Sequence, residues 1–317
     1  MVESDNNALT AALLEALPYI NYFAGKTIVV KIGGSTLGSG DTTLQDIVWL
    51  KSLGVEPVIV HGGGNAITDW LEKIGKPARF VRGLRFTDEE TMEVVRMTLA
   101  GKVNTELVAT LNGLGGRAVG ITGLDGLLLQ ASRLDEDLGL VGKVVGVDLS
   151  LLQTLVSAGY IVVIAPIGCG QGGAPDGVPG EQHLCEALNL NADTAAGELA
   201  AALHAEKLIL LSDVPGILDP QGHVISQATV EEARRLIANG TVTKGMIPKV
   251  EACIRALDGV RRTHIIDGRV PHALIRELFT DQGVGTMITH SPADDVQAPA
   301  SLKYLVNSVR PALESHH

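Results

Sequence analysis

The stretch Thr27–Gly34, TIVVKIGG, is an apolar β-type run that empties into glycines beside a lysine, and VIVHGGG at Val58–Gly64 echoes it. Val and Ile runs of this kind read as strands buried on both faces, the mark of a parallel sheet. A polyglycine turn at the C-terminal end of a strand lets backbone N–H groups approach an anion that a Cβ would block. Lys31 adds a cation beside those amides, so the layout suits a phosphate-bearing ligand.

Working outward, strand-like runs at Val55–Val60, Ala118–Thr122, Tyr160–Pro166, Lys207–Ser212 and His264–Asp267 alternate with helical patterns. That alternation predicts βαβ units and a mainly parallel sheet covered on both faces. The clearest helix starts at Thr87, where TDEE reads as a capping box with Glu90. It continues through Met92, Val95, Leu99, Val103, Leu107 and Leu111 at spacings of three and four, a stripe expected to be core. A second helix is predicted over Asp193–His204, before the strand-like LILLSDVPG. Gly168–Gln182 carries six glycines and two prolines and reads as a loop, with a lobe boundary near residue 190. Residues 1–24 form a leading helix, 25–190 a first lobe and 191–317 a second.

Composition excludes several function classes. The net charge of −11 and the lack of a Lys/Arg-rich block argue against nucleic acid, so an anionic ligand must be captured by a local positive site. Aromatics make up only 3% and offer no stacking platform for bases. Met1–Asp5 lacks a basic region, and Leu9, Leu13, Leu14 and Leu17 recur at helical spacing, the pattern of an amphipathic helix and not of a signal peptide. No uncharged apolar stretch approaches the ~20 residues of a membrane span, and a cytoplasmic protein is expected. Cys169, Cys185 and Cys253 form no CxxC pair, and the odd count suits reduced thiols without a catalytic role. Nine histidines fall outside any HExxH-like spacing, so no metal site is expected.

Two glycine motifs mislead. The GKT at Gly25–Thr27 precedes a strand, and Ile20 stands where a P-loop needs glycine. Gly168, Gly170 and Gly173 satisfy GxGxxG, yet Pro175 and Pro179 follow where a dinucleotide-binding helix would begin. A GxSxG elbow is also absent.

Five segments carry the chemistry: Lys31–Gly34, His61–Gly64, Gly83–Thr87, Asn189–Asp193 and Gly245–Lys249. Together they supply cations, anion-binding amides and a carboxylate. Pro248 suits the first turn of a helix running through Val250 to Leu257, which puts Lys249 at a helix N-terminus. There the free N–H groups and the ammonium both welcome phosphate oxygens.

With KxGG, VHGGG, GLRxTDEE, NxNAD, LLSDVPGxLD, GMIPK and HIIDGRVPH in one order from about Tyr19 to Ile288, the chain resembles the acetylglutamate kinases of the amino acid kinase family. The resemblance implies an α/β three-layer sandwich with a mainly parallel central sheet and an N-terminal extension helix. It implies ATP-dependent phosphorylation of the side-chain carboxylate of N-acetyl-L-glutamate in arginine biosynthesis, with Mg²⁺ brought by the nucleotide. Lys31 and Lys249 then match the lysines that neutralise the transferring phosphoryl group, and Asp193 the aspartate that holds both. Gly63, Gly64, Arg85 and Asn189 match the positions that hold acetylglutamate, in the lobe 25–190. Gly33, Gly34, the segment Asp213, Val214, Pro215, Gly216, Ile217 and Leu218, and Thr241, Val242 and Thr243 match nucleotide-binding positions, most of them in the lobe 191–317.

The leading helix before Pro18 resembles the extension of arginine-inhibited members, where it interlaces dimers into a hexamer. Tyr19, Lys207, His264, Glu277 and Gly283 match the arginine site of those members. L-arginine as inhibitor, a homo-hexamer built as a trimer of dimers and a PII-type regulator are the partners so implied. Ile32, Arg82 and Leu124 depart from the family pattern, as does a long Cys169–Ala187 segment. Acetylaminoadipate, one methylene longer, is therefore a rival substrate. Carbamate kinase, uridylate kinase, aspartokinase and a catalytically silent arginine sensor are rival readings.

Overall fold

The computed structural model describes residues 2–33, 41–171, 185–242, 245–280 and 283–291. In chain order come α1 (Val2–Phe23), β1 (Thr27–Ile32), α2 (Thr43–Ser52), β2 (Glu56–His61), α3 (Gly64–Lys73), β3 (Phe80–Val81), β4 (Leu84–Arg85) and α4 (Glu89–Arg96). A π-helical segment (Met97–Asn104) leads into α5 (Thr105–Gly113), β5 (Ala118–Thr122), β6 (Leu129–Arg133), β7 (Val141–Val147), α6 (Ser150–Ser157), β8 (Ile161–Ala165) and β9 (Ile167–Gln171). Then follow β10 (Cys185–Leu190), α7 (Ala192–Ala202), β11 (Lys207–Ser212), β12 (Gln227–Thr229), α8 (Val230–Ala238), α9 (Ile247–Ala256), β13 (Arg262–Asp267), α10 (Ala273–Phe279) and β14 (Thr286–Thr289).

Eight strands form one sheet in the order β12-β14-β13-β11-β1-β2-β8-β5. Its ladders are parallel except β13 with β14. Successive side chains of a strand face opposite ways, and the core divides accordingly. Val29, Val58 and Val60 point into one apolar cluster with Ala195 and Leu199 of α7 and Val250 and Cys253 of α9. Ile28, Val30 and Ile59 point into a second with Ile47 and Leu50 of α2, Leu107 and Leu111 of α5, and Leu274 and Leu278 of α10. Two helix layers therefore sandwich the sheet. With each buried aliphatic side chain worth roughly 1.5–3 kcal/mol, these two clusters outweigh any single surface ion pair. The sheet runs unbroken across residue 190, because β1 pairs with β11 on one side and β2 on the other.

Three sequence expectations change. Thr87 does not cap the long helix: Asp88 is the N-cap and accepts from Thr91 N, while Thr87 is buried and bridges to Gly139. Glu90 instead joins Lys76, whose ammonium also holds Asp88. The start of the segment expected to be loop, Gly168–Gln171, belongs to β9, antiparallel to β10, so Gly168 and Gly170 of the GxGxxG string sit in a strand. That pairing also corrects the cysteine reading: Cys169 lies opposite Ala187 and Cys185 opposite Gln171, and the two cysteines, diagonal neighbours on adjacent strands, are disulfide-bonded, leaving Cys253 free and buried. A separation of 16 residues carries no local motif; only the pairing of β9 with β10 brings the two within 5.2 Å, Cα to Cα. Pro18 lies inside α1, which is continuous through Phe23.

α7 and α9 pack closely because Gly197 leaves no side chain between them; a Cβ there would lie 2.8 Å from the Ala252 carbonyl. Gly197→Ala should gain ~1 kcal/mol of helix propensity but lose about 1–3 kcal/mol to overpacking. Urea denaturation should therefore show net destabilisation, whereas Gly113→Ala, with nothing within 4 Å, should be neutral or stabilising. The same sign for both would contradict the packing assigned here.

Candidate active site

Parallel register sets the site. Lys31 pairs with Val60 and Ile32 with His61, so the lysine and the glycine turn of residues 62–64 emerge side by side at one edge of the sheet. The Gly62 N–H donates to Ile32 O at 2.9 Å and fastens the two strand ends together. α3 then begins directly from the turn, with Gly63 as N-cap. A Cβ at position 63 would come within 2.4 Å of Leu99 Cδ2, so any larger residue there requires the Leu99 side chain to shift.

α7 brings the carboxylate. Asn191 is its N-cap, its side-chain oxygen accepting from the N–H groups of Asp193 and Thr194. That fixes Asp193 in the first turn, where the helix dipole favours a negative charge. Pro248 occupies the first turn of α9, as its missing N–H allows, and Lys249 follows it. Across the α7–α9 contact, Asp193 Oδ1 lies 2.8 Å from Lys31 Nζ and Oδ2 lies 2.9 Å from Lys249 Nζ. One carboxylate thus spans two ammonium groups from opposite sides. Lys31 and Asp193 are 7% and 6% exposed. Burial pulls Lys31 below an ordinary lysine, Lys249 adds to that, and Asp193 opposes it. Burial disfavours the Asp193 charge too, but the two lysines more than compensate and hold its pKa below the usual 3.8.

A cavity of about 220 Å³ is walled by Lys31, the turn 62–64, Arg85, Leu99, Asn189 and Asp193. The Nη2 of Arg85 donates to Gly64 O and Thr68 Oγ1, both at 2.9 Å. Its Nη1 is buried with no hydrogen-bond partner among the described residues. A buried donor left idle costs about 1–3 kcal/mol, so a ligand acceptor at that point is favoured. Asn189 Nδ2 donates to Thr87 Oγ1 at 3.1 Å, which orients its amide. A second cavity of about 920 Å³ shares Asn191 and Asp193 and continues along Gly142, Lys143, Gly245 and Pro248.

The structure thus collects Lys31, Asp193, Lys249, Gly63, Gly64, Arg85 and Asn189. The segment Asp213–Leu218 leaves β11 at the same sheet edge as Lys31, because β1 and β11 run parallel. Neither cavity includes this segment or Thr241–Val242 in its wall. Ile217 and Val242 bury their side chains in the core, so only their backbone is available to a ligand. Gly34 and Thr243 lie outside the described residues, as do residues 172–184 of the long segment.

A separate charged cluster is enclosed in the opposite layer. Glu277 Oε1 lies 3.2 Å from Lys207 Nζ and 2.8 Å from His264 Nδ1, and its Oε2 accepts from Val284 N. Burial opposes the Glu277 charge, but His264, Lys207 and the Val284 amide hold its pKa down at about 2. Gly283 adjoins Glu277, and the Lys207 ammonium lies 5.6 Å from the centre of the Phe23 ring of α1. Tyr19 is buried in the same apolar cluster as Phe23 and Phe279. The Nε2 of His264 is buried without a hydrogen-bond partner among the described residues.

Sequence reasoning passed over Thr68, Asn104 and His61 as individuals. Asn104 is a polar residue next to the apolar stripe, which was the available signal. His61 belongs to the HGGG motif and is otherwise one of nine histidines outside any metal-ligand spacing. Among the described residues no group of three or more His, Cys, Asp and Glu is placed to hold a metal. No helix among the described residues is long and apolar enough to cross a membrane.

Residues 26–267 match the model of the amino acid kinase family. An acetylglutamate kinase of Caldanaerobacter subterraneus subsp. tengcongensis is 48% identical, over 89% of this chain and 94% of its own. One of Gloeobacter violaceus is 50% identical, over 88% and 92%. Among solved structures, an N-acetylglutamate synthase of Neisseria gonorrhoeae complexed with coenzyme A and N-acetyl-glutamate superposes with a TM-score of 0.77 at 29% identity, over 89% of this chain and 63% of that one. The same synthase complexed with coenzyme A and L-arginine gives 0.71 at 26%, over 89% and 65%. The lysine-bridging aspartate, the glycine turn and these matches lead to one conclusion: the chain belongs to the amino acid kinase family, among its acetylglutamate kinases.

Proposed function

We infer that the chain transfers the terminal phosphoryl group of ATP to the side-chain carboxylate of N-acetyl-L-glutamate, forming N-acetyl-L-glutamyl 5-phosphate. The observation that carries this reading is the Lys31–Asp193–Lys249 bridge, whose Lys31 and Asp193 line the same cavity as Arg85 and Asn189. A carboxylate oxygen attacks the γ-phosphorus, the bond to the β–γ bridging oxygen breaks, and ADP leaves with that electron pair. A glutamyl carboxylate has a reference pKa of ~4.3 and is already ionised, so no general base is needed. Phosphoryl transfer asks mainly for positioning and charge stabilisation. Two ammonium groups shared by one carboxylate leave net positive charge where phosphoryl oxygens gather charge. Arg85, with its idle Nη1, suits the α-carboxylate, and the Asn189 amide the remaining polar groups. Mg²⁺ brought by the nucleotide would be held mainly by phosphates and water and would supply neutralisation of phosphate charge.

The Lys207–His264–Glu277 cluster is the proposed site for L-arginine, whose guanidinium fits a buried carboxylate and whose carboxylate fits a lysine. Leu13 and Leu17 of α1 are exposed at 58% and 47%, which supports α1 as an oligomer seam in a hexamer. A PII-type partner, the cytoplasmic location and the lobe division at residue 190 belong to the same reading.

Lys31→Ala and Lys249→Ala should each lower kcat by about 100-fold or more, the scale of losing one transition-state donor, with circular dichroism unchanged. Near-normal turnover in either variant would overturn the mechanism. Assayed side by side, N-acetyl-L-glutamate should be phosphorylated well ahead of N-acetyl-aminoadipate, and millimolar L-arginine should suppress the reaction; an unchanged rate would refute the arginine site. Lys31 must be protonated to act, and its pKa lies below an ordinary lysine, so kcat should fall as pH rises before 10.5 is reached. A kcat that stays flat up to that pH would contradict the burial assigned to Lys31.

A further inference from the structure

The glycine turn at the cavity is held from behind by two buried polar side chains that the phosphoryl-transfer scheme does not use. His61 ends β2 and is 1% exposed; Asn104 ends the π-helical segment and is 5% exposed. Asn104 Nδ2 lies 3.0 Å from Val163 O and 3.2 Å from His61 Nε2. A backbone carbonyl only accepts, so the amide nitrogen must face Val163 O and donate; of the two acceptors left for its other hydrogen, His61 Nε2 at 3.2 Å is nearer than Ile121 O at 3.5 Å. The imidazole proton then resides on Nδ1, which lies 2.9 Å from Gly62 O and donates to it. Burial works in the same direction, pushing His61 down to about 4 so that the ring is neutral near pH 7.

Holding Gly62 O has a geometric consequence. The peptide is planar and trans, with C=O and the following N–H antiparallel, so fixing Gly62 O on His61 turns the Gly63 N–H to the opposite side. The other carbonyls of the turn are also occupied by protein donors: Gly63 O accepts from Ile67 N, and Gly64 O from Arg85 Nη2. The carbonyls are thus tied back, and the amides of Gly63 and Gly64 stand at the N-terminus of α3, a ready anion-binding end.

The local sequence is built for this pair. In an α-helix residues five apart diverge by about 140°, whereas i→i+5 bonding stacks them. The π segment therefore brings Leu99 against Gly63 and Asn104 against His61 from the same side. Opposite Asn104 stands Gly120, where a Cβ would lie 1.8 Å from Asn104 Oδ1.

We propose that His61 and Asn104 are positioning residues for the phosphoryl acceptor, fixing the Gly62–Gly63 peptide so that the Gly63 amide faces the carboxylate-bearing ligand. This rests on the reading that Gly63 and Gly64 bind the acceptor. His61→Leu removes the ring donor, and Asn104→Ala removes the group that sets the tautomer. Each should raise KM for N-acetyl-L-glutamate by roughly tenfold, the scale of one hydrogen bond to a charged group, with KM for ATP shifting less than about twofold. His61→Asn, whose side-chain amide can donate from nearly the same point as Nδ1, should recover most of the loss. A purely structural pair would lower thermal stability without this split between the two substrates.

Arg85→Lys, run in parallel, separates the two readings. If it raises acceptor KM while His61→Leu does not, the positioning role falls and the acceptor site stands; if neither changes acceptor KM, the site assignment itself falls. Should a variant fail to fold, ¹⁵N-histidine NMR of the unaltered protein still decides. A neutral His61 protonated on Nδ1 at pH 7 is expected, and the Nε2–H tautomer or an imidazolium would overturn the proposal.

Discussion

Asp193 is the single charge on which the arrangement depends. Without it, two ammonium groups would share a buried edge of the sheet, and like charges several ångströms apart at low effective dielectric repel strongly. With it, each oxygen takes one lysine, at 2.8 and 2.9 Å, and the first turns of α7 and α9 are tied to the C-terminal end of β1. The bridge is therefore both a structural clamp and the electrostatic surface offered to a phosphoryl group. Its pKa in the fold lies below 3.8, so its contribution to stability is present above that value and is lost as pH falls through the folded pKa. The Gly197 contact that brings α7 and α9 together is in turn a requirement of the bridge.

A parallel sheet supplies the rest by aligning strand ends. β1, β2 and β11 finish at the same edge, where β2 hands its chain directly to the glycine turn of residues 62–64. The backbone carbonyls at the HGGG turn are satisfied internally, by Ile67 N, Arg85 and His61, so amide groups can be offered outward without leaving buried acceptors unpaired. The Glu277 cluster repeats the logic in the other layer: a buried carboxylate is stabilised by a lysine, a histidine and a backbone amide, and α1 covers it through Phe23.

The main sheet was legible because its strands are short, apolar and buried on both faces; Ala118–Thr122 and Lys207–Ser212 match the sequence expectation residue for residue. Lys31, Asp193 and Lys249 were legible as motif residues, but their convergence is a tertiary fact that spacing could not express. Thr87 misled because TDEE satisfies the capping pattern one residue too early; Asp88 competes for the same amides and wins, freeing Thr87 to orient Asn189. Gly168 and Gly170 read as loop on composition, yet cross-strand pairing with β10 overrides it. The π segment left no signal at all, since the stripe from Met92 to Leu111 fits a continuous α-helix. Its effect appears only where Leu99 and Asn104 meet the glycine turn.

Asp193→Asn tests the central claim most directly, because it keeps the shape of the bridge and removes its charge. Single-turnover phosphoryl transfer from ATP should slow by about 100-fold or more while N-acetyl-L-glutamate still binds, the lysines having lost the group that aligns them. A single-turnover rate equal to that of the unaltered protein would show that the bridge is structural only, and that phosphoryl stabilisation lies elsewhere.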